Sequence, residues 1–219
     1  MKWKHYNSCM VRKDIIQFKE SLPKDITLVA ATKYLTSDEM LDFLKAGINN
    51  LGENRVDDFL KKYETLKGEN IVWHFIGHLQ RNKALKVIDK IDYLHSLDSL
   101  ELAKIIDKNR STPLKVFIEV SINLEVSKNG VPFYEMESFM KDILQYKNIE
   151  VVGLMMMAIK NSSDDSAREQ FAKLRMLRNE LESKFNVSLP YLSMGMSDDY
   201  QDALLEGATH IRLGRILLE

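Results

Sequence analysis

The 219-residue chain has a single cysteine, Cys9, so no internal disulfide framework can form, and the composition suits a reducing compartment. It lacks any apolar run long enough to span a bilayer. Residues 1–20 alternate charged and apolar side chains, with no apolar stretch of the kind a secretory leader needs. A dominant sign of charge is missing too: the formal net charge is −1, which gives no field toward nucleic acid or an anionic membrane. No G-x-G-x-x-G follows the first apolar strand, which weighs against a dinucleotide fold. Repeats, low-complexity tracts and domain-splitting linkers are also absent. What remains is the expectation of a cytoplasmic, soluble chain forming one domain over 1–219, with an ordinary 45% apolar and 29% charged content.

What is present is organised around Lys33. The residues from Ile26 to Ala31 are uncharged and mostly aliphatic, with Pro23 and Asp25 ahead as breakers, which predicts a buried strand. Thr36-Ser37-Asp38-Glu39 is a capping-box pattern that opens a helix. Lys33 therefore stands where a core strand ends, the place where α/β folds put their chemistry. Its ammonium either has a partner there or snorkels to solvent beside Tyr34.

Periodicity extends this unit along the chain. Amphipathic spacing predicts a helix over 4–19 and helices over 37–46, from Asn54, and over 79–90, 99–109, 134–145, 164–185 and 198–206. Strands are expected at 49–53, 71–77, 93–97, 114–122, 151–158, 191–194 and 210–213. Eight strands alternating with helices predict a parallel (β/α)8 barrel of the TIM type, with a doubly wound open sheet as the alternative. Only a few residues follow the last strand, so the additional N-terminal helix is expected to cover the place of an eighth helix.

Most expected strand ends are polar. They include Glu53, Asn54 and Arg55, then Gly77 and His78, then Ser121, and finally Ser193 to Asp199 and Arg212 to Arg215. Barrels often hold phosphate in the loops after their last two strands. Ser197 and Asp198 are expected at a helix N-terminus, where free N–H groups favour an anion, and Gly214 lets the backbone approach it. A plain N-cap is the other reading of Ser197. A lysine facing such a cradle suits a phosphorylated aldehyde, held as a Schiff base by a neutral amine. Burial and the nearby Arg212 are expected to favour that neutral form. Pyridoxal 5′-phosphate is the obvious candidate.

These residues bring the chain to a family. Ala31-Thr32-Lys33, Leu51-Gly52-Glu53-Asn54, the stretch from Trp73 to Lys83, Ser127-Lys128-Asn129-Gly130, Gly153-Leu154-Met155, Leu192 to Asp199 and Ile211-Arg212-Leu213-Gly214 follow one another in family order. The chain resembles the pyridoxal phosphate homeostasis proteins, relatives of the barrel domain of bacterial alanine racemases. The resemblance implies a cofactor carried on Lys33 as an internal aldimine. It implies phosphate held by Ser197 and the backbone N–H groups of Gly214 and Arg215, with Arg212 at the pyridine nitrogen. Asn54, His74, Ser193 and Met196 would complete the pocket. Arginine at the ring nitrogen makes the cofactor a poor electron sink, so the family implies a carrier without a robust reaction. Apo-enzymes are the implied partners, the expected state is a monomer, and neither nucleic acid nor membrane is expected. Arg215 departs from the pattern, standing where relatives carry a hydroxyl.

The alternatives are a pyridoxal-phosphate-dependent amino-acid racemase and a non-catalytic interaction module. A racemase needs a second acid/base group, which Tyr34 or another residue would have to supply. His74 and His78 have helical metal-pair spacing but straddle a strand end, so a metal site is not expected. Met155 to Met157 reads as barrel filling, Glu53 as a hydrogen-bonding or solvated group, and Lys83, Lys86 and Lys90 as a solvated helix face.

Overall fold

A computed structural model describes residues 10–122, 129–159 and 166–219. Part of the expected 4–19 helix, Cys9, the 123–128 part of the expected loop, and Asp164 and Asp165 lie outside the described residues. The chain runs α1 (Ile15–Ser21), β1 (Thr27–Ala31), α2 (Ser37–Lys45), β2 (Asn50–Glu53), α3 (Val56–Thr65) and β3 (Val72–Phe75). Then come β4 (Tyr93–Leu97), α4 (Leu100–Asn109), β5 (Leu114–Ser121), β6 (Val131–Pro132) and α5 (Met136–Ile143). The last elements are β7 (Ile149–Met155), α6 (Ala167–Phe185), β8 (Tyr191–Ser193), α7 (Tyr200–Leu205) and β9 (His210–Leu213).

Eight strands close a parallel barrel in the order β1, β2, β3, β4, β5, β7, β8, β9, with β9 returning to β1 through pairs such as Val29 with Arg212. The two-residue β6 is an appendage of β5 outside the closed ring. Closure leaves no free strand edge, and every strand C-terminus emerges on one rim. Most apolar side chains pack between strands and helices: Met40 and Phe43 of α2, Phe59 of α3, Ile106 of α4, and Phe171, Leu174 and Leu181 of α6 are all buried in one cluster. Burial of each such side chain contributes roughly 1.5–3 kcal/mol. Inside the barrel a separate cluster joins Phe117, Val152 and Met155, with Tyr93 and Tyr191 against it.

Several expected elements change form. The helix expected over 79–90 is a 3-10 turn at Arg81–Lys86. Short-range bonds from Lys83 N–H to Gln80 O, Val87 N–H to Ala84 O and Lys90 N–H to Val87 O let three tight turns bury Ala84, Val87, Ile88 and Ile91. Those four residues have the i, i+3, i+4, i+7 spacing of one α-helical face, so spacing alone does not distinguish the tight turns from the expected helix. The helix expected over 198–206 begins only at Tyr200, and the N-terminal helix is the seven-residue α1. The short α1 lies between α7 and α2, where an eighth helix would stand, with Phe18 6.2 Å from Tyr200 by ring centroids and Lys19 Nζ donating to Gly47 O at 2.7 Å. Pairing of the chain ends adds to that cover. Val11 bridges Leu218, Arg12 N–H donates to Leu217 O at 3.0 Å, and Glu219 N–H donates to Met10 O at 2.8 Å. Among the described residues no helix is long and apolar enough to cross a membrane.

Candidate functional site

Strand alternation decides which side chains face the barrel interior. Just past β1, Thr32, next to Lys33, turns outward and is fully buried. Its Oγ1 donates to Glu53 Oε1 at 2.5 Å, and Lys62 Nζ of α3 donates to the same oxygen at 2.6 Å and to Thr32 O at 2.7 Å. This buried ion pair ties the ends of β1 and β2 to α3, directly behind the lysine. Glu53 is thus a structural anchor with no solvated face. Lys33 is exposed, with Nζ 4.6 Å from the ring centroid of Tyr34, itself 65% exposed. Lys33 is exposed rather than buried as expected, and among the described residues only the Tyr34 ring is laid against its ammonium. Beside it, Asn54 Oδ1 is buried without a hydrogen-bond partner.

A hydrogen-bond chain crosses the barrel interior and ends at Arg212. Asn50 Oδ1 lies 3.0 Å from His74 Nε2, and His74 Nδ1 lies 2.8 Å from His95 Nε2. His95 Nδ1 lies 2.7 Å from Ser193 Oγ, to which Arg212 Nη1 donates at 2.5 Å. Its direction follows from the donors. The Asn50 amide nitrogen donates to Asn49 Oδ1 at 3.4 Å, so its oxygen must accept, and His74 carries its proton on Nε2. Burial holds His74 and His95 well below the ordinary histidine pKa, so both are neutral. His74 Nδ1 therefore accepts from His95 Nε2, and His95 Nδ1 accepts from the Ser193 hydroxyl. Arginine donates at one end, the amide accepts at the other, and every bond runs the same way. His210 packs beside this chain, 6.1 Å from His95 by ring centroids and pushed down to about 4 by burial.

His74, expected to line an open pocket, is thus wholly inside the barrel, while His78 is outside it, 3.1 Å from Asp98. The pair do not converge. Met155 and Met156 are buried as expected of barrel filling, but Met157 is 49% exposed.

Arg212 is 5% exposed, and its Nη2 donates to Met156 O at 2.9 Å. Burial lowers its pKa to about 10, with Glu119 and Asp199 opposing that shift, so it remains a cation at neutral pH. Across the same end of the barrel, Glu119 of β5 is pushed up to about 7, by burial first and by Asp98 second, while Arg212 opposes.

Near Ser197, where an anion niche is expected, the hydroxyl meets backbone N–H groups of the next loop. Asp199, not Ser197, holds the N-cap position of α7 but makes no side-chain bond to the helix; its Oδ1 accepts instead from Met196 N–H at 2.6 Å. Gly195, at φ +93°, turns the chain so that the Ser197 hydroxyl reaches the next loop. There it accepts from Gly214 N–H at 3.3 Å and Ile216 N–H at 3.4 Å. Both contacts exceed the usual 2.7–3.2 Å range, so these donors are poorly satisfied and can turn to an anion. A Cβ built on Gly214 would lie 3.6 Å from Ala31 Cβ, so the niche opens beside the strand that carries Lys33. The Arg215 side chain turns away, donating through Nη2 to Asp198 Oδ1 at 2.5 Å, with 72% of it exposed.

Two participants escaped the sequence reading, His95 and Glu119. Each lies within an expected strand, where period-2 alternation and a polar side chain in an apolar run were the available signals.

One rim of the closed parallel barrel thus brings together Lys33, Ser197, Gly214 and the buried Arg212. Residues 11–218 match the family described as alanine racemase, N-terminal domain. The pyridoxal phosphate homeostasis protein of Aquifex aeolicus is 40% identical over 193 residues, 87% of this chain and 85% of that protein. Its counterpart from Synechocystis sp. is 34% identical over 201 residues, 90% of this chain and 92% of that one. The chain therefore belongs to the alanine racemase N-terminal domain family and, within it, to the pyridoxal phosphate homeostasis proteins. PipY of Synechococcus elongatus, solved with pyridoxal phosphate bound, is 29% identical with a TM-score of 0.86, covering 94% of this chain and 100% of that one.

Proposed function

We propose that this chain binds pyridoxal 5′-phosphate as a Schiff base on Lys33 and takes part in intracellular pyridoxal phosphate homeostasis, without robust catalysis of its own. The observation that carries this reading is the niche of Ser197, Gly214 N–H and Ile216 N–H, opening beside the strand that leads into Lys33. The residues fit the group: weakly held N–H donors suit its phosphate, and the partnerless Asn54 Oδ1 is a buried polar atom left for a ligand. PipY's bound pyridoxal phosphate supports the same assignment.

When bound, the cofactor supplies an electrophilic aldehyde and an electron-accepting ring. Lys33 is exposed, so its amine is open to that aldehyde and to competing amines. Ser197 orients the phosphate end. Arg212 remains a cation that cannot accept a proton, so it keeps no acid at the ring nitrogen and leaves the ring a weak electron sink.

Purified protein mixed with pyridoxal 5′-phosphate is expected to gain a visible absorbance band, which borohydride converts into a permanent label on Lys33. Lys33→Ala should lose both. An alanine variant that keeps the same band overturns the lysine assignment. L-Alanine in deuterated water should show no rapid exchange of its α-hydrogen, and rapid exchange would favour the racemase instead.

A further inference from the structure

A cavity of about 140 Å³ lies between the ends of β5 and β7 and the start of α6. Its walls include Ile122, Met156, Met157 and Ile159, with Glu119 as its acidic group. We propose that this cavity is a subsite for a short aliphatic primary amine, whose ammonium group pairs with the Glu119 carboxylate while its chain lies against the methionine and isoleucine walls. The proposal goes beyond the cofactor reading and stands without it.

Glu119 is 5% exposed, and no hydrogen bond reaches its carboxyl from the described residues. Its oxygens stay open to the cavity rather than sealed off, and in that partly desolvated place a charge-assisted bond is stronger than in open water. The neighbouring polar groups are committed elsewhere. Gln170 clamps Ile159 in both directions, its Oε1 accepting at 2.9 Å and its Nε2 donating at 3.2 Å, so it builds the wall and leaves the acid to the ligand. Arg212 touches the cavity only through its bond to Met156 O, and its Nη1 is held by Ser193.

The chemistry selects among ligands. A metal ion needs several acidic or imidazole groups, and no cluster of three exists among the described residues. A carboxylate would meet the acid head-on. A neutral alcohol offers only one weak donor. The volume equals that of about five waters at roughly 30 Å³ each, which suits a short chain.

The charged groups that face Glu119 are Asp98, beyond β4, which favours its protonated form, and Arg212, on β9, which favours the ionised one. Pairing with a cation adds to the second influence, so binding at acidic pH must expel a proton.

The test is calorimetric titration of the protein, free of added cofactor, with n-butylamine, 1-butanol and butyrate. At about pH 8 the amine is expected to bind at least tenfold more tightly than the alcohol, with butyrate undetectable. At about pH 6 its affinity should fall about tenfold, with release of close to one proton read from two buffers of different ionisation heat. Glu119→Gln should bring the amine to the level of the alcohol. Ile159→Trp, which fills the cavity from an exposed wall and spares the acid, should abolish amine binding as well. Equal binding of amine and alcohol, an unchanged Glu119→Gln affinity, or amine binding that survives Ile159→Trp overturns the proposal. Lys33→Ala must leave the amine affinity unchanged, so failure here and failure of the cofactor reading give different results.

Discussion

At the scale of single residues, the Lys62–Glu53 pair is the most exacting contact in the molecule. Both groups are buried, 10% and 0% exposed by side chain, and they share one carboxylate oxygen with Thr32. Lys62→Met strands an uncompensated charge and is expected to cost about 3–5 kcal/mol, read as a lower urea midpoint. Replacing both, as in Glu53→Leu with Lys62→Met, should recover most of that loss, since no buried charge is left alone. Ser193→Ala removes the acceptor of an arginine bond and the donor to His95, with an expected loss of about 1.5–3 kcal/mol in the same assay. Lys33, Ser197 and Gly214 stood out in the sequence because they follow strands, and they do lie just past β1, β8 and β9, while Arg212 lies within β9. His95 and Glu119 hide inside strands, where a polar side chain is read as local noise until closure of the sheet shows that it faces inward.

At the scale of elements, local signals succeeded where caps and alternation act alone. The capping box of α2 is present with both of its bonds, Glu39 N–H to Thr36 Oγ1 at 3.3 Å and Thr36 N–H to Glu39 Oε2 at 2.7 Å. Thr36→Ala should cost about 1 kcal/mol by thermal melting. The 79–90 segment shows the opposite case. Its apolar spacing fits a helix nearly as well as a series of tight turns, and packing decided between them. The start of α7 is displaced because the chain first turns from Met196 to Asp199: Asp199 Oδ1 accepts from Met196 N–H, and the Ser197 hydroxyl reaches the next loop instead of capping the helix. Gly195 makes that loop possible. Its φ is +93° and an added Cβ would lie 2.7 Å from Ala203 Cβ. Gly195→Ala is therefore expected to lose about 1–3 kcal/mol and to weaken cofactor binding together with stability, whereas Thr36→Ala lowers stability alone.

At the scale of the whole molecule, the barrel should be acid-sensitive. His74, His95 and His210 stay neutral when folded, but each binds a proton in the unfolded chain below about pH 6.5, so each withdraws stability as pH falls. Glu119 has the reverse sign. Its folded pKa of about 7 lies above the unfolded value, so its contribution is fully present at low pH and is lost as pH rises through 7. Three groups against one leave two protons in favour of the unfolded state, and stability should fall by about 2.7 kcal/mol per pH unit between about pH 6 and pH 4.5. Urea midpoints across that window check it, and a flat profile contradicts the buried neutral histidines.

The one-way hydrogen bonds from Arg212 to Asn50 also have an electrical meaning. Each bond points its positive end away from the guanidinium, so Ser193, His95 and His74 turn their negative ends toward it. They act as a frozen hydration shell, doing inside the barrel what water does around a surface cation. A charge that the rim needs is thereby made tolerable by side chains on the far side of the molecule.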